Sequence, residues 1–552
     1  IPKISSSIIF MTMEFSSDHV QTIVQLLALL VIISSVLKLA SQASKKKRDA
    51  KERLRPVPEP PGALPLIGHL HLLRGQDQEP VARILGGLAD RFGSLFSLRL
   101  GHQHRLLVVS SAEMVKECLA TNDKIFATRA NLAVGKYLGY NNAIFALAPY
   151  GQYWRDVRKI SIQELLSNHA VEMRKPLRSS EVESLIKDVH SLATNNKVVN
   201  ISDRLEEMAF NIILKVLVGK RFSSGEYAEK NSEANLIRSG IKEALYLSGV
   251  FVLSDAIPYL EWMDFQGHVS SMKQTAKKID SVLEVWLAEH LRQKREREST
   301  DGDHQSDLMD AMLSSLPEDA VISGHTRDTI IRATTMILIL TGAGSTAVAL
   351  TWALSLLLNN PTVLKAAQEE IDIHVGKDKW VQESDIKNLN YLQAIVKETL
   401  RVNPAGPVTG IREAMEDCTL GGYHVSKGTR MIINIWKLHR DPRVWPNATE
   451  FRPERFMKTS HHDHADSSMS SDANVLGQQF EYAPFSYGRR SCPGGNFGLQ
   501  VVCLALARLL QGFEMTTMGD MKVDMREGLG LALPKADPLQ LVLKPRLRME
   551  LY

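Results

Sequence analysis

Phe485-Ser486-Tyr487-Gly488-Arg489-Arg490-Ser491-Cys492-Pro493-Gly494 is the stretch on which the reading of this chain turns. It sets one cysteine behind a short run of glycine, serine and arginine. A thiolate is the form of cysteine that binds metals, and it needs electropositive surroundings to stay ionised. Arg489 and Arg490 bring charge, and glycines let backbone amides approach the sulfur closely. The plain alternative is a buried structural cysteine. Cys118, Cys418 and Cys503 fit no such pattern and are expected to be packing residues. Four cysteines in 552 residues, with no CxxC pair, exclude a disulfide scaffold. They point to a reducing, cytosol-facing compartment.

Further motifs stand upstream. Glu398-Thr399-Leu400-Arg401 puts an acid and a base three apart, on one helical face. Pro453-Glu454-Arg455-Phe456 follows, and Trp154 and Arg158 form a WxxxR pair, again on one face. Residues 333–358 contain no charge, so by length alone they are a transmembrane candidate. The middle of that run, Thr341-Gly342-Ala343-Gly344-Ser345-Thr346, is small and polar. A span there would put Cys492 across the membrane from the rest of the domain, so a buried central helix is expected.

The 485–494 stretch matches FxxGxRxCxG at every fixed position, and the other motifs follow in matching order and distance. From about residue 56 to 552 the chain resembles the plant microsomal cytochromes P450. The resemblance implies a fold that is mainly α with a small β-sheet portion and an N-terminal transmembrane anchor helix. It implies haem b as cofactor, with Cys492 as the axial ligand of the iron. Phe485, Gly488 and Gly494 belong to the same cofactor-binding loop. Arg490, Trp154, Arg158 and Arg412 are implied to lie at the haem propionates. Glu398, Arg401 and Arg455 are implied to form one buried ion network that is structural. Thiolate ligation pushes electron density onto iron and favours O–O cleavage.

On the central helix the family pattern is [AG]-G-x-[DE]-T-[TS]. The resemblance implies that Gly342 keeps a gap for O2 and that Ser345 and Thr346 supply hydroxyls for proton relay. Thr341 departs mildly from the small residue. Gly344 replaces the acid, which is the serious departure. Proton delivery is then slower, or water substitutes.

Other stretches narrow the resemblance. Among them are Tyr140-Asn141-Asn142-Ala143, Ile322-Ser323-Gly324-His325 and Thr409-Gly410-Ile411-Arg412-Glu413-Ala414. Gly530-Leu531-Ala532-Leu533-Pro534-Lys535 is another. These resemble homoterpene synthases, which cleave geranyllinalool or nerolidol oxidatively to volatile homoterpenes. Electrons come from NADPH through a separate NADPH–cytochrome P450 reductase, and the substrate is a small lipophilic molecule. The expected pocket is apolar, lined by 130–145, 337–345, 404–411 and 528–532. Two alternatives stay open: a hydroxylase or demethylase of a phenolic or alkaloid, and a haem protein with impaired O2 activation because of Gly344. Arg489, Lys437, Arg440 and Arg443 are candidates for a basic reductase-docking face.

The net charge of +4 gives no reason to expect a nucleic-acid partner. Residues 20–37 are uncharged and are followed by Lys45, Lys46, Lys47, Arg48, Lys51, Arg53 and Arg55. Positive charge tends to stay cytosolic. A single-pass anchor in the endoplasmic reticulum membrane is expected, with the catalytic domain on the cytosolic face. The first residues are expected not to be native, since the chain begins with Ile1 and Met11 and Met13 follow. The expected divisions are 1–19, an N-terminal segment; 20–40, the anchor; 41–62, a basic and proline-rich linker; and 63–552, the haem-thiolate monooxygenase domain. Residues 296–306 and 458–479 read as surface loops, the second holding His461, His462 and His464.

Overall fold

The computed structural model describes residues 55–73, 79–194, 198–223, 225–226, 229, 232–297, 306–457 and 480–552. The expected anchor, the basic block before Arg55 and the histidine-bearing loop lie outside them. The chain divides into two compact units. In the smaller one, the Arg55 guanidinium lies over the Tyr423 ring at 4.5 Å. The larger unit comprises residues 57–421 and 425–552 and carries every residue of the candidate site.

That unit is mainly helical. The helices used below are α1 (Val81–Phe92), α2 (Gln152–Ser161), α3 (Lys175–Thr194), α4 (Ile201–Val218), α5 (Glu233–Gly249), α6 (His268–Arg297), α7 (Arg327–Leu358), α8 (Pro361–His374), α9 (Asn390–Val402) and α10 (Gly495–Gly512). The strands are β1 (Leu95–Leu100), β2 (His104–Val109), β3 (Thr128–Arg129), β4 (Val199–Asn200), β5 (Arg412–Glu413), β6 (Arg430–Ile433), β7 (Phe513–Thr516) and β8 (Gln540–Pro545). One sheet runs in the order β1-β2-β6-β5-β3, and a second in the order β7-β8-β4. In the first, Arg412 is paired with Met431 on one side and Arg129 on the other. The sheet thus sets two arginines side by side.

The helix α7 begins where the Thr326 side chain accepts the Thr329 N–H. Its sequence is apolar all round, which calls for burial on every side. Helices α2, α4, α5, α6, α8, α9 and α10 pack against it, and 67% of its most apolar window is buried. It is therefore the central helix of the domain, as expected, although it is long enough to cross a membrane. A Cβ at Gly342 would lie 2.7 Å from Cδ1 of Ile213, so only glycine allows α4 this close.

The strand β6 ends at Ile433, because Asn434 caps a short helix by accepting the Lys437 N–H at 3.0 Å. A short helical turn over Glu383–Asn388 is broken at Leu389, and α9 starts anew at Asn390. The proline-rich stretch expected as a spacer is fastened to β1. The Ser97 N–H donates to Pro58 O at 2.8 Å, and Glu59 pairs with Arg99 at 2.6 Å and with Arg105 at 3.3 Å. His69 takes the Arg99 N–H on Nδ1, so its Nε2–H donates to Pro60 O at 2.9 Å.

Candidate active site

The thiol loop is held by its own backbone. The Cys492 N–H donates to Phe485 O at 2.9 Å and the Ser491 N–H to Gly488 O at 3.0 Å. Ser486 and Gly488 have positive φ of 56° and 72°. A Cβ at Gly488 would stand 2.2 Å from Oδ1 of Asp123, so no other residue fits.

Cys492 sits just before α10, and its sulfur accepts the N–H groups of Gly494 and Gly495. Its side chain is accessible to a water-sized sphere yet walled by protein on all sides, so it opens on interior space. A cavity of about 520 Å3 adjoins it, lined by Leu119, Phe480, Phe485, Tyr487 and Ser491 among others. Burial pushes the thiol above its usual range. The Gly494 N–H, Arg158 and the Gly495 N–H pull it back. The protein thus opposes desolvation with two amides, a cation and the start of a helix.

Three arginines stand at this loop. Arg158 donates from Nη2 to Ser491 O at 2.8 Å, and burial holds its pKa below the usual value. Arg490 donates to three carbonyls: Ala127 at 2.7 Å, Phe145 at 3.1 Å and Ala148 at 2.6 Å. Its guanidinium lies 4.5 Å over the Trp154 ring. Burial, with Arg129, Arg412 and Arg158 nearby, lowers it to about 8. Three of its roughly five N–H donors are therefore held by the protein itself.

Arg412 is 1% exposed. It makes only long contacts, 3.5 Å to Ser486 Oγ and 3.4 Å to Tyr487 O, and lies 3.9 Å from Asp123. Its Nε and Nη1 have no hydrogen-bond partner among the described residues. Burial lowers it to about 10. A buried guanidinium with idle donors is costly, because its lost hydration is not replaced. An acid on a bound group would replace it. An open thiol backed by amides, beside under-used buried cations, fits a thiolate-ligated cofactor that carries acid groups.

The central helix shows one accessible face in an otherwise buried stretch. Thr341 and Ser345 are exposed, Gly344 and Val348 half-buried, and Ala343, Thr346 and Ala347 buried. Positions 341, 344, 345 and 348 follow helical spacing. A Cβ at Gly344 would lie 3.2 Å from Cδ1 of Leu245, so α5 comes close to the face at this position.

Ser345 therefore lies on this face, whereas Thr346 is buried and Gly342 is half-buried. Gly342 turns toward Ile213, and its absent side chain admits α4. Thr346 is buried, with its hydroxyl donating to Gly342 O at 3.0 Å, and a Cβ at Gly498 of α10 would be 4.0 Å from it. Thr341 is the residue that the motif undervalues.

Of the expected lining segments, two are joined to each other and to α7. The Leu533 N–H donates to Ala405 O at 2.9 Å, and Trp352 Nε1–H donates to Leu533 O at 2.8 Å. Behind the loop, Arg401 grips Glu398 through two bonds of 2.7 Å, and Arg455 lies 3.4 Å from the same carboxylate. Arg401 also donates to the carbonyls of His439, Ala448 and Glu450. The expected buried network is present.

The four cations proposed for reductase docking are engaged locally. Lys437 pairs with Asp90 at 2.5 Å, Arg443 with Asp441 at 2.5 Å and Arg489 with Asp123 at 2.7 Å. Arg440 turns inward to Val402 O and Trp436 O. Asp123 and Arg129 were not singled out by the sequence. Asp123 braces Arg489, and Arg129 donates to Gly410 O at 2.5 Å and Ala146 O at 3.0 Å. Neither stands in a motif, and only their distant partners give them meaning.

Comparison with known proteins agrees with this geometry. A family model described as cytochrome P450 matches residues 58–542. A dimethylnonatriene synthase from Arabidopsis thaliana is 50% identical over 96% of this chain and 97% of its own. A xanthotoxin 5-hydroxylase from the same plant is 46% identical over 92% and 96%. A nicotine N-demethylase from Nicotiana tomentosiformis is 45% identical over 90% and 93%.

Proposed function

The chain belongs to the cytochrome P450 family and is a haem-b monooxygenase supplied with electrons by a reductase, and from that premise we propose that it cleaves tertiary terpene alcohols oxidatively to volatile homoterpenes. The observation that carries this reading is the likeness to a dimethylnonatriene synthase over nearly the whole of both chains. Geranyllinalool and nerolidol are the proposed substrates. A second reading, hydroxylation or demethylation of a phenolic or alkaloid, is supported by the other two relatives.

Cys492 is the proposed iron ligand, and the Gly494 and Gly495 amides and Arg158 favour its thiolate form against the burial that opposes it. Arg412, Arg158, Arg490 and Trp154 are proposed to hold the acid side of the haem, with Phe485, Gly488 and Gly494 shaping the loop. When bound, haem supplies O2 binding and activation. Ser345 is proposed to present its hydroxyl oxygen to that space. An N-terminal membrane anchor, a cytosol-facing domain at the endoplasmic reticulum and NADPH–cytochrome P450 reductase as partner complete the proposal.

The test is a headspace volatile assay on microsomes holding this protein and a plant reductase. NADPH is added with geranyllinalool or nerolidol, beside a Gly344→Asp variant. Homoterpene from the unmodified protein is the expected result. Homoterpene from the variant alone means the right pocket with a weakened oxygen-activating helix. Silence from both, with haem loaded, overturns the reading.

A further inference from the structure

The two departures of the central helix lie on one face. Thr341 stands where the family pattern has a small residue, and Gly344 where it has an acid. With Ser345 they make up the polar part of the accessible stripe on α7. Leu245 of α5 lies against the Gly344 position of the stripe.

Each hydroxyl has already spent its proton. Thr341 donates to Ile337 O at 2.7 Å, and Ser345 donates to Thr341 O at 2.7 Å. A hydroxyl carries one proton and two lone pairs. What both residues have left to offer a ligand is therefore acceptor capacity. Residues four apart on a helix stand roughly 5–6 Å apart at Cβ, so one donor lodged between them reaches either oxygen. In apolar surroundings an acceptor pair selects a ligand that brings its own O–H, because an unmatched polar group there is costly. A carboxylate at position 344 would be a stronger acceptor and would capture that donor. With Gly344 no side chain of the stripe is charged.

We propose that Thr341 and Ser345 form a neutral acceptor pair that binds the hydroxyl group of the substrate. The inference rests on the monooxygenase reading for where the ligand lies, and deepens it by naming what is recognised. An aliphatic alcohol is selected over its ether or its parent hydrocarbon.

The haem-loaded protein is titrated with nerolidol and with nerolidol methyl ether, and dissociation constants are read by calorimetry. Homoterpene formation is followed separately in the headspace. The unmodified protein should prefer the alcohol by about three- to tenfold, the worth of one hydrogen bond. Thr341→Val and Ser345→Ala should each reduce that preference and the double variant abolish it, whereas Thr341→Ser should keep it. Equal affinity in the unmodified protein, including failure to bind either compound, overturns the inference. So does a preference that survives in the double variant. A preference lost in the double variant without any homoterpene sustains the inference and removes the proposed cleavage. Homoterpene without a preference does the reverse.

Discussion

A cation enclosed by protein keeps its charge only where something answers it. Arg412 is the clearest case, with two nitrogens that meet no acceptor among the described residues. Arg490 contrasts with it, since three carbonyls already take its donors. Replacing Arg412 by methionine should therefore cost the haem-free protein little, because few good bonds are lost. It should lower haem retention by roughly tenfold or more, the scale of a charge-assisted bond of about 1.5–3 kcal/mol. Dialysis against apomyoglobin, followed by absorbance, measures the retention. Equal haem loss from both proteins would mean that the idle donors serve no cofactor acid.

At the scale of elements, α9 matters through what it binds rather than through its own length. Glu398 and Arg401 share a helix face, and the pair then collects Arg455, the Arg452 N–H and three carbonyls from 439–450. Glu398→Ala leaves a buried guanidinium without its counter-charge, which costs about 3–5 kcal/mol. The urea midpoint of the holoprotein should drop accordingly, and an unchanged midpoint would refute the assignment. This network was legible through the family resemblance, whose motif here is a single four-residue stretch. The thiol loop and α7 were legible for the same reason: each is a continuous stretch whose pattern mirrors its surroundings. Arg440 was misread as a surface charge, since nothing local announces that Val402 O draws it inward. The orientation of Gly342 escaped for a similar cause. A motif marks the glycine, but only the position of Ile213 explains which side needs the room.

For the whole molecule, the same core that buries these groups makes stability depend on acidity. His439 is fully buried, accepts the Ala483 N–H on Nε2 at 2.9 Å, and lies beside Arg401 and Arg440. Burial and then those two cations lower its pKa from 6.5 to about 3. The folded value lies below the unfolded one, so the unfolded chain takes up the proton first. Stability is complete above about pH 6.5 and declines as pH falls toward 3. Urea midpoints between those limits should fall less steeply in His439→Gln, and identical slopes would count against the assignment. The thiol loop also binds parts of the chain far from it. Arg158 and Ser491 are 333 residues apart, and Asp123 and Arg489 are 366 apart. A ribosome adding about 5–20 residues per second needs roughly 15–70 s to cross the shorter of those intervals. For that whole time α2 is already made, and the strand of chain it must hold has not yet been synthesised. The site is thus a late product of synthesis, and a nascent chain stopped before residue 490 has no place to receive its cofactor.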